Sequence, residues 1–182
     1  MGDKIKILGI CGSLREGSYN AAALRAAAEL VPADAELEIF SIAGLTEFVQ
    51  DQEPPEKVVE FKRKIREADA ILFSSPEYNY SVPGVLKNAI DWASRPYGDS
   101  AWEGKPAAIM GASPGIFGTV RMQYHLRQIM VFLNMFPINK PEVMIGGASN
   151  KFDKDGNLTD EATRGFIRDL VRNLVDWTKR LG

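Results

Sequence analysis

The chain has 182 residues and a mass of 20.1 kDa, enough for one domain with a sizeable core. Apolar residues make up 45% and charged residues 25%, and 22 Lys and Arg against 24 Asp and Glu leave a formal charge of −2. That balance excludes a generally basic nucleic-acid binder and a strongly acidic tail protein, while the single cysteine (Cys11) and single histidine (His125) exclude an internal disulfide and a His- or Cys-cluster metal centre.

Met1-Gly2-Asp3-Lys4 carries no apolar signal core, which predicts no export leader. Ile5 to Ile10 is a run of mostly aliphatic residues and predicts a buried strand. Gly12 to Gly17 breaks it with turn chemistry, and Ser18 is placed to cap an Ala-rich helix over Tyr19–Leu30 that Pro32 stops. Glu36 to Phe40 alternates as a second strand. After Gln52-Glu53-Pro54-Pro55 comes a helix with Val58, Phe61 and Ile65 on one face. Ala70 to Ser75 is a third strand, closed by Pro76. Pro83 suits the first turn of the next helix, whose apolar side is Val85, Leu86, Ala89, Ile90 and Ala93. Pro106 to Gly111 reads as the fourth strand. A helix is expected directly after Ser113-Pro114-Gly115, with Met122, Leu126, Ile129, Met130 and Leu133 at helical spacing. Pro141 to Ile145 is the expected fifth strand, and Thr159 to Leu181 an amphipathic last helix facing inward through Phe166, Leu170, Leu174 and Trp177. No stretch approaches the roughly 18 apolar residues of a membrane span.

Strands alternating with helices imply a parallel sheet with helices on both faces. The expectation is therefore one α/β domain over residues 1–182, flavodoxin-like and doubly wound, with five parallel strands. Such folds bind ligands at the carboxyl ends of the strands, where strand order reverses. The loops after the first, third and fourth strands are the places to look.

The first loop, Gly12 to Asn20, offers Ser13, Ser18 and Asn20 as polar side chains, Arg15 as a cation, and a helix amino end behind them. Unpaired N–H groups and the positive end of the helix dipole stabilise a phosphate there. An ordinary turn with Ser18 as a plain cap is the competing reading. The glycines do not give the G-x-G-x-x-G spacing of dinucleotide folds, and no Gly-Lys-Ser/Thr follows, so a monophosphate cradle remains. The loop after the third strand, Pro76 to Gly84, brings Tyr78, Asn79 and Tyr80 to a strand end. That combination suits the wall and polar edge of a flat heteroaromatic ring, or else merely covers the sheet.

Gly12-Ser13-Leu14-Arg15 with Gly17-Ser18 and Asn20, followed by Pro76-Glu77-Tyr78-Asn79-Tyr80-Ser81-Val82-Pro83-Gly84 and Leu86 to Trp92, resembles the NADPH-dependent FMN reductase family, in particular its bacterial quinone and chromate reductases. The resemblance runs over nearly the whole chain, through Gln123 to Gln128 and Asn139 to Glu142. It implies FMN as cofactor and NADPH or NADH as electron donor. The FMN phosphate would be held by residues 13–20 (Ser13, Leu14, Arg15, Gly17, Ser18, Tyr19, Asn20), and the ring by Pro76, Glu77, Tyr78, Asn79 and Tyr80. Ser113 and Gly115 would approach its far side, with Pro114 standing where the family often has a more flexible residue. No catalytic side chain is expected, because the flavin N5 carries the hydride.

The activity so implied is two-electron, ping-pong transfer from NAD(P)H through FMN to quinones, with azo dyes, nitroaromatics or chromate as incidental acceptors. A flavodoxin-type electron carrier is the alternative, disfavoured by the near-neutral charge. No nucleic-acid partner, no metal and no membrane span are expected. The lack of a leader and of a membrane span points to the cytoplasm, and the resemblance implies a homodimer or homotetramer, with Arg121, Tyr124, Arg127 and Glu142 near the subunit contact or else plain surface charges. Cys11 and His125 read as packing residues.

Overall fold

The computed structural model describes residues 4–182; the leader reading at Met1 to Asp3 falls outside them. Five helices and six strands follow one another as β1 (Ile5–Cys11), α1 (Tyr19–Leu30), β2 (Ala35–Phe40), α2 (Glu56–Glu67), β3 (Ala70–Ser74), α3 (Gly84–Ala93), β4 (Pro106–Ala112), α4 (Val120–Phe132), β5 (Phe136–Pro137), β6 (Val143–Ile145) and α5 (Glu161–Leu181). All strand pairs are parallel, in the order β2-β1-β3-β4, with β5 and β6 both against β4. This is the doubly wound flavodoxin-like class expected of the sequence.

The fifth position of the sheet departs from the single strand expected over Pro141–Ile145. Phe136 pairs with Pro106 at one end of β4, and Val143 to Ile145 pair with Met110 to Ala112 at the other. Pro137 and Pro141 flank the interruption, and a proline cannot donate to a ladder.

Alternate residues of each central strand feed opposite cores. Ile7 and Leu72 face α1 and α5, packing with Leu24, Val171 and Leu174. Leu8, Ile71 and Phe73 face α2, α3 and α4, packing with Phe61, Ile90, Trp102 and Leu126. Burial on both faces is why β1, β3 and β4 read as nearly continuous apolar runs. Two inward assignments fail: Phe166 and Val85 are exposed, because the buried stripes pass through Ile167, Leu170 and Leu174 on α5 and through Leu86, Ala89 and Ile90 on α3. Among the described residues no helix is long and apolar enough to cross a membrane.

Strand order reverses between β1 and β3, so their carboxyl ends open a crevice. The backbone there is tightly packed. A Cβ on Gly12 would lie 2.2 Å from Ser75 Oγ, and one on Gly111 would lie 2.0 Å from Thr119 Oγ1 and 2.4 Å from the Ser75 carbonyl oxygen. Only glycine lets β1 and β4 close around Ser75, so the crevice floor is fixed by sterics.

Candidate functional site

The three loops anticipated from the sequence converge on one cavity of about 370 Å³ at this crevice. The first loop contributes Ser13, Arg15, Ser18, Tyr19 and Asn20, the second Pro76, Glu77 and Tyr78, and the third Ser113 with Ala112 and Pro114. Leu14, Gly17, Asn79, Tyr80 and Gly115 do not line it. Leu14 instead faces a neighbouring hollow with Ile42, Leu45 and Val85. A larger groove of about 520 Å³ runs along β2 and α2 past Lys6, Glu38 and Lys64, away from the strand carboxyl ends. Its Lys64 is already paired with Glu38 at 2.6 Å.

In the first loop Ser18 caps α1, its Oγ accepting the Ala21 N–H at 3.3 Å. Among the described residues the N–H groups of Glu16, Gly17, Tyr19 and Asn20 find no acceptor within the chain. With Gly17 at φ +65°, they gather donors at the positive end of α1. Arg15 donates to the carbonyls of Glu16 (3.3 Å) and Gly17 (2.9 Å), which folds its guanidinium back along the loop. Four unpaired donors and a cation beside one cavity match a phosphate.

Asn20 occupies a different place from the phosphate contact expected of it. Its side chain is buried and bonded twice to the backbone of Ala112, while Ser74 Oγ donates to its carbonyl at 2.8 Å. It ties α1 to β3 and β4, and the sequence alone does not reveal a partner 92 positions away.

The second loop is a tight reversal. Tyr78 and Ser81 exchange both backbone hydrogen bonds (3.2 and 3.0 Å), with Asn79 at φ +51° and Tyr80 at φ +66° between them. Two consecutive left-handed residues define a type I′ turn, strained for tyrosine in particular. Tyr78 stands at the cavity while Tyr80 turns outward and is 69% exposed. The Arg121 guanidinium lies 4.0 Å from the Tyr80 ring centroid. Glu77 faces the cavity but bonds elsewhere, its carboxylate accepting from the N–H groups of Arg121 (2.9 Å) and Met122 (3.1 Å) and from Arg121 Nη1 (3.1 Å).

The third loop extends further than expected, because α4 begins at Val120 rather than directly after Gly115. Ser113 N–H bonds the Ile145 carbonyl (2.9 Å) and Gly115 N–H bonds Ser113 Oγ (3.0 Å), while among the described residues the N–H groups of Ile116 and Phe117 find no acceptor. Gly115 accepts from Gly147 at 3.1 Å, so its backbone anchors the loop to the segment after β6. Sequence reasoning missed Ala112 and Pro114, although their place at the end of β4 would have found them.

Arg121, expected near a subunit contact, reaches Glu77 across the site. Tyr124 and Glu142 bond at 2.8 Å, and that carboxylate pushes the phenol's pKa up. His125 is exposed and its Nδ1 pairs with Ser81 Oγ at 2.9 Å. Cys11 is partly buried beneath the phosphate loop, and burial pushes its thiol up, away from thiolate reactivity. Among the described residues no group of three His, Cys, Asp or Glu could hold a metal.

The family profile described as NADPH-dependent FMN reductase matches residues 5–150. An NAD(P)H-dependent FMN reductase of Pseudomonas aeruginosa is 54% identical, with 100% of this chain and 99% of that protein covered. A 2-hydroxy-1,4-benzoquinone reductase of a Burkholderia species is 41% identical, covering 96% and 97%. Among solved structures, the flavoenzyme NAD(P)H:(acceptor) oxidoreductase FerB of Paracoccus denitrificans superposes with a TM-score of 0.90 at 36% identity, covering 98% and 99%.

Proposed function

The chain belongs to the NADPH-dependent FMN reductase family, and from that premise we propose that it holds FMN in the cavity between β1, β3 and β4 and passes electrons from NAD(P)H to quinone-like acceptors. The observation that carries this reading is the pair of unpaired N–H groups of Tyr19 and Asn20 at the start of α1, on the same cavity as Arg15, Ser18 and Tyr78, with the free N–H groups of Glu16 and Gly17 on the adjoining turn. An anion site and a ring wall one loop apart suit a flavin mononucleotide.

FMN, when bound, supplies reversible two-electron chemistry between a nicotinamide donor and a quinone. The chain's own task is binding and orientation. The α1 amino end, the Ser18 hydroxyl and Arg15 hold the phosphate. Tyr78 and Pro76 wall the ring, and the free N–H groups of Glu77 and Asn79 lie on the loop that meets its polar edge. The third loop has its Ser113 and Gly115 N–H groups already bonded, so its free donors are the Ser113 hydroxyl and the N–H groups of Ile116 and Phe117. No side chain at the cavity is arranged as a nucleophile.

A single open cavity makes donor and acceptor take turns, which is ping-pong exchange. Its permissive opening extends the acceptors to azo, nitroaromatic and chromate compounds. Ile116, Phe117, Tyr124, Val131 and Phe132 leave an exposed apolar ridge along α4 and its approach, which fits a homodimer or homotetramer. One free thiol and no cysteine pair fit a reducing, cytoplasmic setting. Steady-state kinetics with NADPH and a soluble quinone test the mechanism. Parallel double-reciprocal lines are expected, and lines that intersect would contradict ping-pong exchange.

A further inference from the structure

We propose that Glu77 and Arg121 form a charge-neutral brace that positions the ring wall and sets the reduction potential of the flavin. The inference rests on the flavin reading above and assigns to these residues a role that reading leaves open.

Thr119, the residue just before helix α4, provides no side-chain cap. The cap comes instead from Glu77 in the loop after β3, whose Oε2 accepts the second and third N–H groups of the helix, those of Arg121 and Met122, at 2.9 and 3.1 Å. A carboxylate there completes two unpaired donors and meets the positive end of the dipole. The other oxygen, Oε1, takes Arg121 Nη1 at 3.1 Å, with Glu77 only 12% exposed. Arg121 continues outward between two rings, 4.0 Å from the Tyr80 centroid and 5.2 Å from that of Phe117. One ion pair thus joins the turn that presents Tyr78 and Tyr80 to the approach of α4. A planar guanidinium can pair and stack at once, which an ammonium cannot.

The charges matter as much as the geometry. Glu77 lines the cavity, so an unbalanced negative charge there would act on any electron-rich group within it. Arg121 cancels that charge at contact distance. A charge near a flavin is one of the means by which a protein tunes it. Removing either partner therefore shifts the balance in opposite directions, which a purely structural link would not do.

The test measures the reduction potential and FMN dissociation constant of the loaded protein for Glu77→Gln, Arg121→Met, the double variant and Arg121→Lys. Gln keeps an oxygen for the α4 N–H groups and removes only the charge. Glu77→Gln should raise the potential and Arg121→Met should lower it. The double variant should return near wild type, and Arg121→Lys should restore the potential while leaving FMN bound roughly tenfold more weakly, about 1.4 kcal/mol. If Glu77→Gln does not fold, the Met and Lys variants carry the comparison alone, since Arg121 sits on a partly exposed helix face. Shifts of the same sign, or no shift in folded and loaded variants, would overturn the brace and leave the flavin site intact. Failure of the wild-type chain to bind FMN would instead remove the flavin reading itself and the brace with it.

Discussion

The side chain of Asn20 and the backbone of Ala112 face each other as two paired strands do. Ala112 N–H donates to Asn20 Oδ1 at 2.8 Å, and Asn20 Nδ2 donates to the Ala112 carbonyl at 2.9 Å, both bonds buried. An amide is the one side chain that offers a donor and an acceptor in this spacing. Replacing it by Ala leaves a buried N–H and a buried carbonyl unpaired at the edge of the site. Asn20→Ala should lose roughly 2–6 kcal/mol in urea unfolding, at about 1–3 kcal/mol for each of the two orphaned groups. A loss under 1 kcal/mol would show that water replaces the amide.

Arg15 is the reverse case. Its bonds run to the carbonyls of its own loop, and its side chain reaches no other element of the fold except the Tyr19 ring at 5.7 Å. Arg15→Ala should therefore leave the melting temperature within a degree or two while weakening FMN by roughly tenfold, the scale of one charge-assisted contact. Fluorescence titration of FMN reads the effect, and unchanged affinity would take Arg15 out of the phosphate site.

The turn at Asn79 and Tyr80 separates backbone from side chain. Asn79 at φ +51° is a residue that tolerates the left-handed region, whereas Ala there costs about 1 kcal/mol. Asn79→Gly should match wild type in stability and Asn79→Ala should fall by about that amount. Equal stability of the two variants would mean that the turn relaxes to another conformation.

Acid sensitivity should concentrate where carboxylates are held by hydrogen bonds. The Thr163 hydroxyl and N–H keep Asp160, the cap of α5, below the usual carboxylate range, and Lys179 and Lys62 do the same for Asp34 and Asp99. A carboxyl whose pKa is lowered on folding stabilises the fold above its unfolded value, about 3.9, and that contribution disappears as pH falls through the lower folded value. Stability should be flat from neutrality to about pH 5 and decline below about pH 4. Asp160→Asn keeps a capping oxygen and removes the titration, so its acid decline should be shallower. An acid limb identical to wild type would assign the loss to the other carboxylates.

Much of the fold was legible because β1, β3 and β4 are buried on both faces and therefore apolar throughout, with helices of clear period between them. The cavity's three loops followed from that order, since a doubly wound sheet fixes where its strands end. What escaped was non-local. The cap of α4 comes from Glu77 rather than from Thr119, and nothing local to Gly115 shows that the helix waits until Val120, so it was expected too early. The role of Asn20 depends on a partner in β4. The strand expected over Pro141–Ile145 is present as Val143–Ile145, but the two-residue β5 escaped, because Phe136–Pro137 is too short to carry a period.

The central claim is that this chain holds FMN and lets NAD(P)H reduce it. The most direct measurement is the anaerobic visible spectrum of the FMN-loaded protein before and after addition of NADPH, repeated with NADH. A perturbed flavin band that bleaches within seconds with at least one of the two donors is expected. A flavin that stays oxidised with both, or a chain that retains no flavin, would contradict it.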